Sequence, residues 1–252
     1  MKTQNIQPKN KFLLFNIPFS TLDMAQTLSE IERAVSRGDS YFVITANPEY
    51  VMNARTQPEL IRIAQEADLV TADGTGIVWA GKQMGVHIPG RVTGYDLLIQ
   101  LLKKCQQNHW KIYILGSSQD TLNIAAEKLA AAYPDLQIAG SHHGYFAPEE
   151  EAKIISDIQQ KHPHFLFVAM GSPKQELWID RNRHRLPNCI MMGVGGCFDV
   201  IAGRVKRAPL IWQKLNIEWL YRLIQQPSRW RRMLALPKFM GLVLFCKNSS
   251  KK

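Results

Sequence analysis

The sequence predicts an α/β fold, a Rossmann-like parallel sheet with helices on both of its faces. Short apolar runs alternate along the chain with amphipathic stretches of helical periodicity. The apolar runs are continuous, and strands that are apolar along their whole length are typical of parallel sheets buried on both sides. No internal repeat or low-complexity segment breaks this order.

The predicted strands are the apolar runs, and one further segment is a candidate for a very short strand. The runs span residues 41–45, 69–72, 111–115, 165–169 and 190–194, and the short candidate spans 137–139. Apolar residues at helical spacing predict the helices between them. These helices span residues 21–37, 58–66, 77–84, 95–107, 120–133 and 148–160.

The positive charge of the chain is concentrated after residue 203. Residues 204–252 hold twelve Lys or Arg and a single acid, Glu218, whereas residues 1–203 hold nineteen basic and twenty acidic groups. The sequence therefore predicts a near-neutral body, residues 1–203, and a basic appendage, residues 204–252. A cationic appendage indicates an anionic partner surface, either a membrane or a nucleic acid.

The appendage combines its charge with aromatic and aliphatic residues. An amphipathic helix is predicted from Pro209, with one face formed by Trp212, Leu215, Trp219 and Leu223. A second helix is predicted from Pro227, with Arg229 and Arg232 on one side. Mixed Arg, Trp and Leu is typical of helices that lie among lipid headgroups. So much aliphatic surface argues against nucleic acid, and a helical pair packed on the body with a solvated arginine face is the other alternative.

Cysteine spacing and hydropathy indicate a reduced, peripheral protein. The four cysteines form no C-x-x-C pair, which favours free thiols over a zinc site or disulfides. The first twelve residues are polar and lack the apolar core of a signal peptide. No run reaches the ~18 apolar residues of a membrane span. We expect a cytoplasmic protein that lies on a membrane without crossing it.

Polar, glycine-rich loops follow most of the predicted strands. They span residues 45–48, 73–76, 116–118, 171–176 and 195–199. Ligands of parallel sheets bind beyond the carboxyl ends of the strands, and free N–H groups at helix starts suit phosphates. The loops therefore predict a nucleotide or another phosphorylated ligand.

Each loop also has a structural interpretation. Asp73 is as well placed to cap a helix as to act as a base, and the turn at Gly116 could simply begin a helix. In segment 171–176, Pro173 suits a first helical turn and Gln175 is expected to face outward. Segment 74–79 is close to a dinucleotide-binding fingerprint, but Trp79 stands where a small residue is required, which disfavours an oxidoreductase.

Several familiar catalytic motifs are missing from the sequence. It has no Walker-type phosphate loop, no G-x-S-x-G elbow, no H-E-x-x-H and no D-x-D pair to hold a metal against a nucleotide diphosphate. We expect no metal and no cofactor, so basic residues and backbone dipoles would steady the phosphates. A non-enzymatic module that binds a nucleotide or nucleic acid remains the alternative of another class.

Eight short motifs together resemble the WecG/TagA/CpsF glycosyltransferases, in family order over residues 12–236. They are TANP at 45–48, ADG at 72–74, RVTGYD at 91–96, GSPKQE at 171–176, MGVGG at 192–196, VKRAP at 205–209, EWLYR at 218–222 and QPSR at 226–229. The resemblance implies an inverting, metal-independent transfer from a UDP-sugar to a polyprenyl diphosphate-linked acceptor. It also implies a protein on the inner face of the cytoplasmic membrane, with oligomers as a possibility and no nucleic acid partner.

Residue roles follow from the same resemblance. It assigns the general base to Asp73, and catalytic positions to Thr45 and Arg91, the latter stabilising the departing diphosphate. It assigns substrate binding to Asn47, Gly116, Gln175, Gly195, Gly196 and Asp199. It assigns contact with the membrane or the acceptor to Arg222, Arg229 and Arg232.

Two branches of the family differ in the donor sugar. The C-terminal half is most similar to the branch that adds N-acetylmannosaminuronic acid to undecaprenyl-linked GlcNAc in enterobacterial common antigen. The TANP segment is more similar to the branch that transfers N-acetylmannosamine in teichoic-acid synthesis. The longer C-terminal match favours the uronic acid donor, whose carboxylate would need a cation near the sugar.

Overall fold

The computed structural model describes residues 10–249, apart from the side chains of residues 214, 229, 248 and 249. It confirms the predicted parallel α/β fold. Six strands form one sheet in the order β4-β3-β8-β7-β5-β6, and every neighbouring pair is parallel. They are β3 (Tyr41–Ala46), β4 (Leu69–Ala72), β5 (Ile112–Gly116), β6 (Ile138–His142), β7 (Phe165–Ala169) and β8 (Ile190–Gly193).

Helices join these strands and continue to the end of the described chain. Around the sheet they are α1 (Met24–Arg37), α2 (Pro48–Thr56), α3 (Pro58–Glu66), α4 (Thr75–Gln83), α5 (Gly94–Gln107), α6 (Gln119–Ala132), α7 (Glu151–Lys161), α8 (Lys174–Asn182) and α9 (Cys197–Ala202). The appendage contains α10 (Leu210–Lys214), α11 (Glu218–Gln225), α12 (Trp230–Met233) and α13 (Ala235–Ser249). Short 3₁₀ turns cover Pro148–Glu150, Arg183–Arg185 and Pro227–Arg229.

Both faces of the sheet are buried, as the continuous apolar runs predict. In β5, Tyr113 and Leu115 pack into the core on one face, whereas Ile112 and Ile114 pack into the core on the other. Side chains alternate between the faces of a strand, so a strand covered on both sides must be apolar throughout.

The predicted elements do not include the first hairpin or the helices α2, α8 and α9. A hairpin, β1 (Lys11–Leu14) and β2 (Ile17–Ser20), precedes the sheet and turns at Phe15 and Asn16, both with positive φ. Helix α2 begins directly after β3, where Asn47 is its N-cap and Pro48 its first residue. Asn followed by Pro is a helix-start signal, but the segment was interpreted only as a ligand loop.

The prediction of one continuous helix from Pro209 is wrong. Helix α10 ends at Lys214 and α11 begins at Glu218, because Asn216 between them adopts a left-handed conformation with φ 62°. The proposed apolar face is therefore divided. Trp212 turns inward onto Tyr221, with ring centroids 5.4 Å apart, while Leu215 is exposed.

Helix α13 packs against the hairpin, α2 and α4. Its Phe239 and Val243 are completely buried in the core cluster that also contains residues of β1, β2 and α2, and the Phe239 ring lies 6.4 Å from that of Phe15. The division of the chain at residue 203 stays a prediction, and removing residues 204–252 would open this core. Among the described residues, no helix is both long and apolar enough to cross a membrane.

Candidate active site

A cleft of ≈ 340 Å³ lies outside the carboxyl ends of β3, β4, β7 and β8. Its walls come from the loops that follow these strands and from the start of α5. The appendage supplies the remaining wall through residues 205–208, α11 and α12. The structure thus brings the predicted ligand edge of the sheet together with the basic appendage.

Asp73 lines this cleft, one residue beyond β4. It does not cap α4, because Gly74 is the N-cap residue and α4 has no side-chain cap. Its Oδ2 instead accepts a hydrogen bond of 3.3 Å from Gly94 N. Burial raises the pKa of Asp73 to about 6, partly offset by the Gly94 N–H and by Arg222. A carboxyl with a pKa near neutrality suits proton transfer.

Thr45 and Asn47 lie beside Asp73 at the end of β3. Thr45 Oγ1 donates to Gly193 O at 3.4 Å, and a Cβ atom on Gly94 would lie only 3.0 Å from that hydroxyl. Asn47 Oδ1 accepts from Tyr50 N at 2.9 Å and so fixes the start of α2. Both side chains line the cleft, but each is also part of the structure around it.

Three of the arginines in the cleft form ion pairs. Arg91 Nη1 lies 3.2 Å from Glu218 Oε2, Arg207 Nη2 lies 2.6 Å from Asp96 Oδ1, and Arg232 pairs with Glu49. Each pair joins the body to residues after 203. Partly exposed pairs of this kind contribute about 1 kcal/mol or less, so they can exchange partners when a more strongly charged ligand enters.

Arg222 forms no ion pair with the described residues and acts on Asp73 at a distance. It lowers the pKa of Asp73. Its Nη2 lies 3.6 Å from the position that a Cβ atom on Gly196 would occupy. Its charge is therefore available to a ligand between α11 and the loop after β8. The side chain of Arg229 lies outside the described residues, so its predicted role stays a prediction.

Gln175 does not face outward as expected. It is 5% exposed, and its side chain crosses the end of β8 to accept a hydrogen bond from Gly195 N at 2.9 Å. A Cβ atom on Gly193 would lie 2.5 Å from Gln175 Nε2, so the glycine makes room for this crossing. Gln175, Gly195 and Gly196 all line the cleft.

Gly116 and Asp199 lie apart from the cleft lining but near each other. The residue after Gly116, Ser117, directs its Oγ toward Asp199 Oδ1 at 3.4 Å. Gly116 has φ 127°, and a Cβ atom there would lie 2.4 Å from the backbone of Ala169, so packing of β5 against β7 accounts for the glycine. A binding role for these two residues stays a prediction.

The sequence predicts no catalytic or binding role for several residues in and beside the cleft. Glu49, Arg207, Glu218 and Trp219 line it, and Asp96 contacts Arg207 without lining it. Four of these five fall inside motifs that carried the resemblance. Their pairing was not predictable, because Arg91 and Glu218 are 127 residues apart in the chain.

The fold and the cleft are typical of α/β enzymes that bind anionic ligands. The sheet provides a ligand edge, Asp73 is a buried carboxyl with a pKa near neutrality, and the arginines give the cleft positive charge.

Comparison with known proteins identifies the family. The profile of the glycosyl transferase WecG/TagA/CpsF family matches residues 12–252. A protein of Bacillus spizizenii strain W23 is 34% identical over 237 residues, covering 94% of this chain and 91% of that protein. A protein of Staphylococcus aureus strain MW2 is 35% identical over 241 residues, covering 95% and 94%. Both are named N-acetylglucosaminyldiphosphoundecaprenol N-acetyl-beta-D-mannosaminyltransferase.

The chain belongs to the WecG/TagA/CpsF family of glycosyl transferases. The resemblance found from the eight motifs is thereby confirmed, and it extends through the appendage. Family membership also decides between the classes left open by the sequence, in favour of an enzyme over a non-enzymatic module.

Proposed function

We propose that this chain transfers an N-acetylmannosamine unit from a UDP-linked donor to a polyprenyl diphosphate-linked GlcNAc acceptor. The names of the two relatives support both the transferred sugar and the acceptor. The observation that carries the proposal is Asp73, a single carboxyl with a pKa of about 6 placed among arginines at the ligand edge of the sheet.

The chemistry assigns one task to each group. Asp73 takes the proton from the acceptor hydroxyl as that oxygen attacks the anomeric carbon. The bond between this carbon and the diphosphate oxygen breaks, and UDP leaves with the electron pair. Arg91 and Arg222 stabilise the charge that develops on the diphosphate. One displacement by a hydroxyl inverts the anomeric configuration.

The charges in the cleft bear on the choice of donor. A uronic acid donor would bring an additional carboxylate, yet three of the cleft arginines are paired with acids. The partner of this carboxylate would have to be Arg222, Lys206 or an arginine released from its pair. N-acetylmannosamine needs no such cation, and the names of the relatives favour it. The uronic acid donor predicted from the C-terminal motifs is compared directly in the experiment below.

The proposed reaction needs no divalent metal, because arginine side chains stabilise the departing diphosphate. Among the described residues, no three His, Cys, Asp or Glu side chains are grouped as metal ligands would be. We expect turnover to persist in excess chelator. Loss of turnover in chelator, restored by a divalent cation, would contradict this.

The acceptor would reach the cleft from a membrane surface. Exposed apolar side chains cluster on the appendage, at Leu210, Ile211, Leu215, Ile224, Trp230 and Leu234. They accompany a net charge of +11 over residues 204–252, which suits anionic headgroups. We propose peripheral binding to the inner face of the cytoplasmic membrane.

Self-association of the chain at the membrane stays a prediction that sedimentation with and without vesicles can test.

The experiment is a donor panel with a lipid-linked GlcNAc diphosphate acceptor. UDP-N-acetylmannosamine, the corresponding uronic acid donor and UDP-GlcNAc are compared by UDP release and by the mass of the lipid product. We expect release with UDP-N-acetylmannosamine that depends on the acceptor. Preference for the uronic acid donor would replace the proposed sugar, and no release with any donor would refute the proposed function.

A further inference from the structure

Glu176 is a buried carboxyl in the wall of the cleft that has no counter-ion. It is 2% exposed and lies in the first turn of α8, directly after Gln175. No Lys, Arg or His among the described residues forms an ion pair with it. Taking an unpaired carboxylate out of water costs several kcal/mol, whereas the protonated acid avoids most of that cost.

The two oxygens of Glu176 have different surroundings. Oε1 accepts a hydrogen bond of 2.9 Å from Gln175 Nε2. Oε2 makes no hydrogen bond of good geometry with the described residues, and neither does the neighbouring Ser172 Oγ, although the Ser172 hydroxyl lies close enough to lower the pKa of this carboxyl. A proton on Oε2 would give this oxygen a hydrogen to donate, and the Ser172 hydroxyl is an available acceptor.

Gln175 links this carboxyl to the next loop of the cleft. Its Nε2 donates to Glu176, and its Oε1 accepts from Gly195 N. Glu176 therefore fixes which end of the amide faces Gly195. The hydrogen bonds from Glu176 through Gln175 to Gly195 join the start of α8, after β7, to the loop after β8, and both segments line the cleft.

We propose that Glu176 is held in its protonated form and is a positioning residue, which orients Gln175 and thereby fixes the loop at Gly195. Burial also raises the pKa of the Glu176 carboxyl, in the direction this requires, and hydrogen bonds from Gln175, its own backbone N–H and Ser172 offset the rise only in part. A neutral Glu176 adds no negative charge to a wall that faces a diphosphate, whereas an ionised one would repel this ligand. The consequence for turnover rests on the proposed function, but the protonation state does not.

Substitutions distinguish a neutral acid from an ionised one. Glu176→Gln has the shape of the protonated acid and keeps an oxygen for Gln175, whereas Glu176→Asp keeps the acid but withdraws it by one methylene. We expect the donor KM to rise less than about 2-fold in Glu176→Gln and about 5-fold in Glu176→Asp and Glu176→Leu, since one buried hydrogen bond to a neutral partner contributes about 1 kcal/mol, which corresponds to about 5-fold. Thermal unfolding of each variant reports whether it folds. Glu127→Gln, on the exposed surface of α6, is the matched control.

Infrared difference spectroscopy measures the proton directly. The spectrum of the wild-type protein minus that of Glu176→Gln at pH 7 should contain the carbonyl band of one protonated carboxylic acid. A carboxylate band in its place would overturn the proposal, and so would a donor KM that rises more in Glu176→Gln than in Glu176→Asp. If no donor supports turnover, the proposed function fails, yet this spectrum and the UDP affinity of the same variants still test Glu176.

Discussion

The pKa of the single residue Asp73 is determined by its burial and by the groups around it. Burial favours the neutral acid, while the Gly94 N–H and two arginines favour the carboxylate. The balance places the pKa at about 6, so the side chain is mostly ionised at neutral pH and can accept a proton. Such a balance is sensitive to every neighbouring charge.

Turnover should depend on the ionised form of Asp73. Below a pH of about 6 the carboxyl keeps its proton and cannot act as a base, so kcat/KM should fall as the pH falls through this value. Asp73→Asn should lower kcat about 100-fold to 10,000-fold, the usual contribution of a general base. Rates from pH 5 to 9, with UDP affinity measured in parallel, check both expectations. Near-normal turnover in Asp73→Asn would show that another group is the base.

Ion pairs connect two elements of the appendage to the body. Glu218 in α11 pairs with Arg91, and Arg232 in α12 pairs with Glu49. The first pair lies close enough to Asp73 for both members to affect its pKa, and the second does not. The position of α11 is therefore coupled to the chemistry at Asp73.

Removing the charge of Glu218 should move the pH dependence of turnover. Glu218 raises the pKa of Asp73, so Glu218→Gln should lower this pKa and shift the acid side of the kcat/KM profile to lower pH. Glu49→Gln is the matched control, because it also breaks an ion pair between body and appendage but is not among the groups that shift the pKa of Asp73. Equal shifts in both variants would assign the effect to loosening of the appendage.

Helix α13 should contribute strongly to the stability of the body. Phe239 is completely buried, whereas its neighbour Met240 is 41% exposed. Phe239→Ala should lower the free energy of unfolding by about 3–5 kcal/mol, and Met240→Ala by about 0.5 kcal/mol or less. Urea unfolding measures both. Similar, small losses would mean that α13 detaches from the body in solution.

The strands of the sheet were predictable from the sequence because burial on both faces leaves a continuous apolar run. The break at Asn216 was not, since apolar positions at helical spacing in 209–223 fit one long helix as well as two short ones. In the site, the presence of Asp73, Thr45 and Arg91 in the cleft was predictable from motifs. The ion pair of Glu218 and the burial of Glu176 without a counter-ion were not, because they depend on contacts across the fold.

The molecule as a whole presents apolar and basic groups on one appendage. Ile211 and Leu215 are 66% and 63% exposed, so they can enter a lipid surface without unfolding. Because α13 is part of the core, deletion of the appendage would also disrupt the fold. A loss of membrane binding in such a deletion could then not be assigned to the missing membrane contacts. Point substitutions at exposed positions avoid this difficulty.

Binding to anionic vesicles should weaken when these side chains become polar. Replacing Ile211 and Leu215 together by Ser should lower the partition coefficient about 10-fold or more, because each buried apolar side chain contributes on the order of 1 kcal/mol. Higher salt should weaken binding further, since the basic residues are screened. Tyr145→Ser, at an 81% exposed position after β6, is the control. Unchanged co-sedimentation of the double variant would refute this membrane contact.

The contact between Phe15 and Phe239 joins the first hairpin to the last helix. A chain that emerges from the ribosome in order cannot close this part of its core until α13 has been made, because half of the contact is still missing. The wall of the cleft formed by residues 205–208, α11 and α12 also comes from the segment after residue 203. A nascent chain that has not yet reached this segment therefore has neither a closed core nor a complete cleft.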